Sequence, residues 1–293
     1  MTNAIQVNQL SFRYGKQAVL KNLSFQIQSG SIVGLIGENG AGKTTLLNLL
    51  QGILRTQDQV AIFDRQPKQA CRWVGTMPQS DLKLPGVTVI ELLQNIGSTY
   101  ADPVDTMQLL QDNGIEVLAN KRLNHLSGGQ LRRVTFLCAL VGRPKLVFLD
   151  EPTVGMDVNA RKRLWQQVKK MQQAGVTIVI TSHYLEELQD VADELLILQS
   201  GQISFQGTFA ELRHQDTQTT LRFRSALSQA RLKQLPAVRS VSQQADYWVV
   251  VSTDADATLA QMSQVIDQFH DLTINQQSLT TIFSDMTKEE ENR

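Results

Sequence analysis

The segment that most constrains the fold is a short glycine-rich run, Gly37-Glu38-Asn39-Gly40-Ala41-Gly42-Lys43-Thr44. It follows the apolar residues 32–36 and precedes a second apolar stretch, residues 46–50. The pattern G-x-x-x-x-G-K-[ST] between a buried strand and a helix is a phosphate loop, in which backbone N–H groups and the helix N-terminus face a phosphate. In such a loop Lys43 reaches the β and γ oxygens and the Thr44 hydroxyl binds Mg²⁺. The sequence therefore predicts a strand–loop–helix unit that binds a nucleoside triphosphate.

Short apolar segments predict a parallel sheet around this loop. Residues 32–36, 146–149 and 177–181 are each mostly apolar. Continuous runs of this length are typical of strands that are buried on both faces beneath helices. Between the last two segments, residues 161–174 carry apolar side chains at helical spacing. We therefore predict an α/β fold of the phosphate-loop NTPase class, with a RecA-like parallel core.

Other patterns predict what surrounds this core. Residues 4–12 and 23–27 alternate between apolar and polar side chains, which indicates an antiparallel β edge. Residues 195–198 and 203–205 are joined by Gln-Ser-Gly-Gln, which predicts a hairpin that closes the domain. Residues 87–121 have apolar side chains scattered among polar ones and are predicted to form helices set apart from the sheet.

Length and a change in composition predict two domains. A chain of 293 residues suits one large and one small domain at the usual ~100–200 residues each. The polar run at residues 215–219 marks the boundary, so we expect a nucleotide-binding domain at 1–214, with a helical subdomain at about 81–142, and a second domain at 215–293. Beyond the boundary the order strand-helix-strand-strand-helix-strand predicts a small α+β, ferredoxin-like domain, followed by a short helix near residues 279–286.

A predicted strand of the core ends in two adjacent carboxylates, Asp150 and Glu151. Ligands of open α/β sheets bind at the carboxyl ends of the strands, where this pair lies. There Asp150 would serve the Mg²⁺ shell, directly or through water, and Glu151 would act on an attacking water as general base or by orienting it. Taken alone, the pair fits two acids at a solvated strand end equally well, and the phosphate loop favours the catalytic interpretation.

A third motif, Leu126-Ser127-Gly128-Gly129-Gln130, precedes an amphipathic helical stretch. Ser127 is placed as a helix N-cap, and the two glycines permit other groups to approach the backbone closely. A helix end of this kind binds anions. Lying between the phosphate loop and the acidic strand, the motif resembles the signature of ATP-binding cassette (ABC) transporters, and residues 4–207 resemble the ATPase subunit of that family.

The resemblance implies ATP as the nucleotide, Mg²⁺ as its metal ion and a dimer in which two ATPase subunits close on ATP. In that family the signature covers the γ-phosphate of ATP held by the other subunit, so neither subunit has a complete site. The implied nucleotide contacts in the phosphate loop and the signature are Gly37, Glu38, Asn39, Gly40, Ala41, Gly42, Lys43, Thr44, Thr45, Ser127, Gly128, Gly129 and Gln130.

Four further positions match the family one by one. Tyr14 stands where an aromatic ring stacks on adenine, with packing of an edge-strand tyrosine on its neighbour as the rival interpretation. Gln79 matches the glutamine that contacts Mg²⁺ and the attacking water, Asp157 matches the loop that contacts the other subunit, and His183 matches the histidine that hydrogen-bonds the γ-phosphate. The resemblance thus implies Glu151, His183 and Gln79 as catalytic residues and Thr44, Gln79 and Asp150 as metal ligands.

Two places depart from the family pattern. Met156 stands where the family more often has leucine, an exchange that conserves volume. Residues 43–79 form a shorter segment than usual, with Thr56-Gln57-Asp58-Gln59 in place of the expected glycine turn. We expect a trimmed hairpin there, away from the phosphates.

Composition limits the location and the partners. The 28 basic and 28 acidic residues cancel, so no field of one sign attracts the whole molecule to nucleic acid or anionic lipid, and we expect no nucleic-acid partner. The two cysteines form no close-spaced metal pattern and fit a reduced cytosolic setting. With neither a leader pattern nor an apolar run near the ~20 residues that span a bilayer, the chain is not expected to be secreted or to cross a membrane itself.

The second domain resembles the small C-terminal domain of ATPase subunits in ABC-2-type exporters for drugs, sodium and bacteriocin resistance. Its function is open between dimer support or regulation and a stabilising cap. The resemblance implies an integral membrane permease as partner, a homodimer or a heterodimer with a second ATPase subunit, and a cytoplasmic location, peripheral on the inner face of the cell membrane. Two alternatives are a soluble ABC-type switch acting on ribosome or nucleic acid, and a regulatory ATPase paired with a histidine kinase and a permease.

Overall fold

The structure is a computed structural model of the chain. It describes residues 2–55, 59–80, 82, 84–182, 185–215 and 219–276. The chain divides into two compact units, Met1–Thr208 and Phe209–Arg293. This division comes before the helix Phe209–Gln215. Composition predicts a boundary between residues 214 and 215 instead, because the polar run that changes the composition begins at the last residue of that helix.

Nine strands and seven α-helices lie in the described residues of the first unit. The strands are β1 (Asn3–Tyr14), β2 (Gln17–Gln28), β3 (Ile32–Ile36), β4 (Val60–Ile62), β5 (Val74–Met77), β6 (Leu146–Asp150), β7 (Thr177–Ser182), β8 (Glu194–Gln199) and β9 (Gln202–Gly207). The helices are α1 (Lys43–Leu50), α2 (Pro67–Ala70), α3 (Val89–Gly97), α4 (Thr106–Asp112), α5 (Gly128–Leu140), α6 (Val158–Gln173) and α7 (Leu185–Gln189). Short 3-10 turns occur at Cys71–Trp73, Glu116–Leu118 and Leu123–His125.

Six strands form the main sheet, in the order β5-β6-β7-β3-β8-β9. The first five run parallel, and β9 pairs antiparallel with β8. The predicted parallel core and closing hairpin are therefore confirmed. Strands β3 and β7 are buried along their whole length, which explains their continuous apolar sequences. Because the strands are parallel, β3, β5, β6 and β7 present their carboxyl ends at one edge of the sheet.

The alternating segments near the N-terminus form a separate three-stranded antiparallel sheet, in the order β2-β1-β4. Ile5 of β1 pairs with Ile27 on one side and Ile62 on the other, and all three are buried. The alternation thus places one face of this sheet on the core of the first unit. The trimmed hairpin expected at residues 56–59 falls largely on Thr56, Gln57 and Asp58, which lie outside the described residues.

Two helical predictions are met with shifted ends. Helices α3 and α4 lie within the region predicted to be helical at residues 87–121. Helix α6 begins earlier than the predicted residue 161, because Asp157 caps it by accepting a hydrogen bond from the Ala160 N–H at 2.8 Å. It ends just before Gly175, whose φ of +87° suits the turn that follows. None of the described helices is long and apolar enough to span a bilayer.

The second unit has the predicted order of strands and helices. Its elements are α8 (Phe209–Gln215), β10 (Thr219–Arg224), α9 (Gln229–Leu232), β11 (Val238–Gln244), β12 (Tyr247–Ser252), α10 (Ala255–Ser263), a 3-10 turn (Ile266–Gln268) and β13 (His270–Gln276). The four strands form one antiparallel sheet in the order β11-β12-β10-β13. Leu221, Phe223 and Val250 are fully buried in its core.

The helices of this second unit differ from their predicted bounds. The pattern predicts helices over residues 227–235 and 257–269, whereas α9 and α10 are shorter. Helix α10 starts early because Asp254 caps it, accepting from the Ala257 N–H at 3.0 Å. The short helix predicted near residues 279–286 lies outside the described residues.

Candidate functional site

The loop between β3 and α1 is held tightly by its surroundings. A Cβ added at Gly37 would lie 2.4 Å from the carbonyl oxygen of Leu198, and one at Gly42 would lie 2.7 Å from the side chain of Leu20. Gly40 and Gly42 also have φ values of +87° and +108°, a region that side chains rarely adopt. The glycines of the motif are therefore required by packing and by backbone conformation.

Lys43, the first residue of α1, is buried inside this loop. Its ammonium donates hydrogen bonds to the carbonyl oxygens of Gly37 at 2.5 Å and Glu38 at 3.0 Å. Burial lowers the pKa of Lys43 from its usual 10.5, against the opposing attraction of Glu151, Asp150 and Glu38. The loop thus holds the Lys43 ammonium in a small, poorly solvated space, where its charge would attract a phosphate strongly.

A hydroxyl on the neighbouring strand holds both acidic residues, Asp150 through its carboxylate and Glu151 through its backbone N–H. Thr181 Oγ1 donates to Asp150 Oδ1 at 2.5 Å and accepts from the Glu151 N–H at 2.9 Å. The Glu151 N–H also approaches the Thr181 carbonyl oxygen, at 3.2 Å. Glu151 has a φ of +45°, an uncommon conformation for a residue with a side chain. These bonds hold the chain in that turn at the end of β6.

Gln79, just beyond β5, contacts one of these carboxylates. Its Nε2 donates a hydrogen bond to Glu151 Oε2 at 3.0 Å. Strands β5 and β6 pair in parallel, with Met77 opposite Leu149. This register places the residues that follow each strand side by side. The structure therefore brings together two residues that the sequence relates only through the family resemblance.

The signature residues cap their own helix. Ser127 Oγ accepts from the Gln130 N–H at 3.3 Å, and Gln130 Oε1 accepts from the Ser127 N–H at 3.2 Å, so the predicted N-cap is part of a capping box. An added Cβ at Gly128 would meet no described heavy atom within 4 Å, and one at Gly129 would meet only the Gly155 carbonyl oxygen, at 3.7 Å. Within the described chain, packing therefore does not require glycine at either position.

Of three further predicted residues, Tyr14, Asp157 and His183, the structure describes the first two. Tyr14 is 51% exposed and packs edge-on against Phe12, with ring centroids 5.0 Å apart. Asp157 is the N-cap of α6. His183 lies outside the described residues. The contact between Tyr14 and Phe12 agrees with the interpretation that this tyrosine packs on its neighbour. The ring is half exposed, so it also has free surface on which adenine could stack.

The sequence did not point to Arg132 or Thr181, although both contact Asp150 and Glu151 at the end of the acidic strand. Arg132 is 2% exposed and donates to the carbonyl oxygens of Asp150 and Glu151. Helical spacing was the available signal, because Arg132 falls on the same face of α5 as the apolar Phe136. A charged residue on a buried helix face indicates a specific polar partner.

A second network connects three segments that follow the strands of the site. Glu187 of α7 accepts a hydrogen bond from Thr153 Oγ1 at 2.6 Å and forms an ion pair with Arg161 of α6 at 2.8 Å. Thr153 follows the acidic pair closely in the chain. The first turns of α6 and α7 are thereby attached to the turn that carries Glu151.

A phosphate loop on a parallel sheet, with paired carboxylates at the same edge, defines a nucleotide-binding protein of the phosphate-loop class. Residues 20–154 match the family model described as ABC transporter. The chain is 36% identical over 221 residues to the Nod factor export ATP-binding protein I of Ralstonia nicotianae, covering 72% of this chain and 69% of that protein. It is 29% identical over 218 residues to the linearmycin resistance ATP-binding protein LnrL of Bacillus subtilis, covering 71% and 70%.

Solved structures show the same fold. One described as the ATP binding subunit of an ABC transporter has a TM-score of 0.67 at 26% identity, covering 72% of this chain and 92% of that one. CbiO1 of Clostridium perfringens, described as part of the ABC transporter complex cbiONQ, has a TM-score of 0.64 at 26% identity, covering 72% and 91%. The chain belongs to the ABC transporter family, as an ATP-binding subunit. It is accordingly an ATPase, and the fold class predicted from sequence is confirmed.

Proposed function

We propose that two such subunits share their ATP sites and drive a separate integral membrane permease that exports its substrate. The observation that carries this proposal is the hydrogen bond from Gln79 to Glu151 at the sheet edge that also holds Asp150. In the family, the segment that begins at this glutamine faces the membrane partner. A movement of that segment would reach the expected catalytic carboxylate through a single hydrogen bond.

The chemistry divides among a few side chains. Lys43 would exchange its bonds to the loop carbonyls for the β and γ oxygens of ATP. Glu151 would polarise the attacking water, and the amide of Gln79 would orient the Glu151 carboxylate and this water. The residue matching the γ-phosphate histidine is His183, whose role rests on the resemblance alone. Each of these groups acts by position and charge, as phosphoryl transfer requires.

The donor set fits Mg²⁺. Thr44, Gln79 and Asp150 offer a hydroxyl, an amide and a carboxylate oxygen, the hard ligands that Mg²⁺ prefers. Among the described residues, no cluster of three or more His, Cys, Asp or Glu side chains forms a metal site by itself. That agrees with an ion that enters with ATP and keeps phosphate oxygens and water as ligands, where it would neutralise charge on the phosphates.

The signature supports a site shared between subunits. Neither Gly128 nor Gly129 is crowded by the described chain. A need for glycine there is explained by a group that approaches from outside, and the capped first turn of α5 suits a phosphate. ATP held by a second ATPase subunit, in a homodimer or a heterodimer, is such a group. The second domain, residues 215–293, would support or regulate this dimer.

The relatives support export. One of them is named for Nod factor export and another for linearmycin resistance. A permease partner places the subunit in the cytoplasm, peripheral on the inner face of the cell membrane. The equal numbers of basic and acidic residues give no support to a nucleic-acid partner.

Purification from native membranes tests the transport role. The tagged chain is expressed in its native host, membranes are solubilised gently, and the proteins that accompany it are identified. We expect a multi-spanning permease. Ribosomal or other soluble partners, with the protein absent from membranes, would instead support a soluble switch, and a histidine kinase alongside the permease would support a regulatory ATPase.

A dilution series tests the shared site. If two subunits complete each site, the ATPase rate of dilute protein should rise faster than in proportion to protein concentration, because the dimer forms by mass action. Phosphate release measured over a wide range of concentration gives this dependence. A strictly proportional rate at every dilution would contradict the shared site.

A further inference from the structure

Arg132 is a buried cation on α5 that bonds to two separate segments of the site. Its Nη1 donates to the carbonyl oxygens of Pro78 at 2.7 Å and Gln79 at 3.0 Å. Its Nη2 donates to the carbonyl oxygens of Asp150 and Glu151, each at 2.7 Å. One side chain therefore holds the backbone at the glutamine, at the metal-binding aspartate and at the catalytic glutamate.

This arrangement suits a guanidinium in particular. Its two outer nitrogens form a rigid planar fork, and its charge shortens and strengthens hydrogen bonds to oxygen. These four bonds go to backbone carbonyls, and the side chain of Gln79 bonds separately to that of Glu151. Glu151 also has a φ of +45°, and uncommon backbone conformations persist where the surrounding structure fixes them.

Helix α5 is attached to the sheet at a second point. A Cβ at Gly75 would lie 2.0 Å from the carbonyl oxygen of Ala139, so the backbones of β5 and α5 touch near the end of the helix. Arg132 lies toward the other end, close to the N-cap Ser127. The last turn of α5 is held by this backbone contact with β5. A displacement of the first turn would therefore move Arg132 and, with it, the backbone carbonyls to which Arg132 donates.

We propose that Arg132 is a positioning residue that couples the signature helix to the catalytic glutamate of the same subunit. When residues 127–130 contact nucleotide held by the other subunit, the position of α5 sets the backbone at Gln79 and Glu151 through Arg132. Each ATP site is thereby linked to the signature that serves the opposite site. This inference rests on the proposed roles of Glu151 and Gln79 and on the proposed shared site.

The first test separates turnover from binding. In R132M, kcat should fall by about 10- to 100-fold, since a misplacement of ~1 Å can cost about 100-fold. The Kd for ATP, measured with a fluorescent analogue, should stay within about twofold of wild type, because the four hydrogen bonds described for Arg132 go to the segments that follow β5 and β6. R132K keeps the charge but presents one nitrogen to four carbonyls, so its kcat should lie between those of wild type and R132M.

The second test uses the nucleotide-free full chain. Amide hydrogen exchange in peptides covering residues 74–80 and 146–156 should be faster in R132K and R132M than in wild type. Peptides from residues 219–252, in the other unit, should exchange at the wild-type rate. The control is R143Q, which removes an exposed ion pair between Arg143 and Asp102 at 3.4 Å and should match wild type in both tests.

The outcomes distinguish this inference from the proposed function. Wild-type kcat or wild-type exchange in folded R132M would overturn the positioning role, as would a loss of ATP affinity as large as the loss of kcat. If R132M does not fold, R132K decides by the same two measurements. E151Q is assayed alongside: full turnover in E151Q would remove the proposed role of Glu151, whereas an inactive E151Q with a normal R132M would remove the role of Arg132 alone.

Discussion

The side-chain amide of Gln79 lies 3.0 Å from the carboxylate of Glu151 and donates a hydrogen bond to it. The two residues follow adjacent parallel strands, β5 and β6, whose register brings their ends together. Three contacts of Glu151 bear on its position: Gln79 bonds to its side chain, Thr181 to its N–H, and Arg132 to its carbonyl oxygen. A change in any of these contacts should lower the rate of ATP turnover more than it lowers the affinity for ATP.

Replacing Glu151 by glutamine tests its role in the chemistry. E151Q keeps the size of the side chain and loses the base, so we expect ATPase turnover to fall by about 100-fold or more. ATP binding should persist, and the ATP-bound dimer should accumulate because hydrolysis no longer reopens it. Phosphate release and size-exclusion chromatography with ATP measure the two effects. Undiminished ATPase activity would remove Glu151 from its assigned role.

Replacing Thr181 by valine tests the hydroxyl that bonds to the Asp150 carboxylate and to the Glu151 N–H. T181V leaves Asp150 Oδ1 and one bond of the Glu151 N–H without this partner, so we expect stability to fall by about 1–3 kcal/mol and kcat to fall with it. T177V is the matched control, because Thr177 lies on the same strand and its buried hydroxyl accepts from the Gly30 N–H at 2.9 Å, away from the site.

Denaturant unfolding and steady-state kinetics separate these two threonines. Both variants should lose similar stability, and T177V should keep the wild-type kcat. Equal kcat values in T181V and T177V would show that the hydroxyl of Thr181 does not position the site.

Lys43 gives a prediction about pH. Burial lowers the pKa of Lys43 below its usual 10.5. At any pH below the lowered pKa, the buried charge therefore reduces the free energy of unfolding. This loss of stability disappears as the pH rises from the lowered pKa to 10.5. Without nucleotide, K43M should therefore have a higher Tm than wild type at neutral pH, by a margin that narrows toward pH 10.5. K43R keeps the charge and should show no such margin.

Thermal unfolding across this pH range is the measurement. A margin that does not change with pH would contradict the assignment of the effect to the Lys43 charge. ATP binding should be lost in K43M, because this variant removes the cation that we propose contacts the β and γ oxygens.

Tyr14 tests stacking against packing. Y14A should raise the Kd for ATP at least about fivefold if the ring stacks on adenine, since stacking of a base on an aromatic side chain is worth about 1–3 kcal/mol. Y14F keeps the ring and should bind like wild type. If the only role of Tyr14 is its edge-on contact with Phe12, Y14A will lower Tm and leave the Kd unchanged.

The sequence predicts the core elements well because their signals are local. A glycine-rich loop, a serine N-cap and a continuous apolar strand each depend on neighbours in the chain. Strand β5 has no such signal: it is four residues long and contains Gly75, whose lack of a side chain serves the contact with Ala139. The predicted ends of α9 and α10 were wrong, because caps and packing set the ends of short helices and the pattern of apolar residues does not show them.

By itself, the sequence determined that this protein binds a nucleotide at a phosphate loop, on a parallel α/β core, with an acidic strand and a signature helix. Only the tertiary structure showed how these parts are joined. Asp150 pairs with Thr181 across β6 and β7, and the ends of β5 and β6 meet. Arg132 bonds to both ends from α5. These contacts join residues that are distant in the chain, and they exist because the strand order and the parallel register bring the carboxyl ends of β5, β6 and β7 together at one edge.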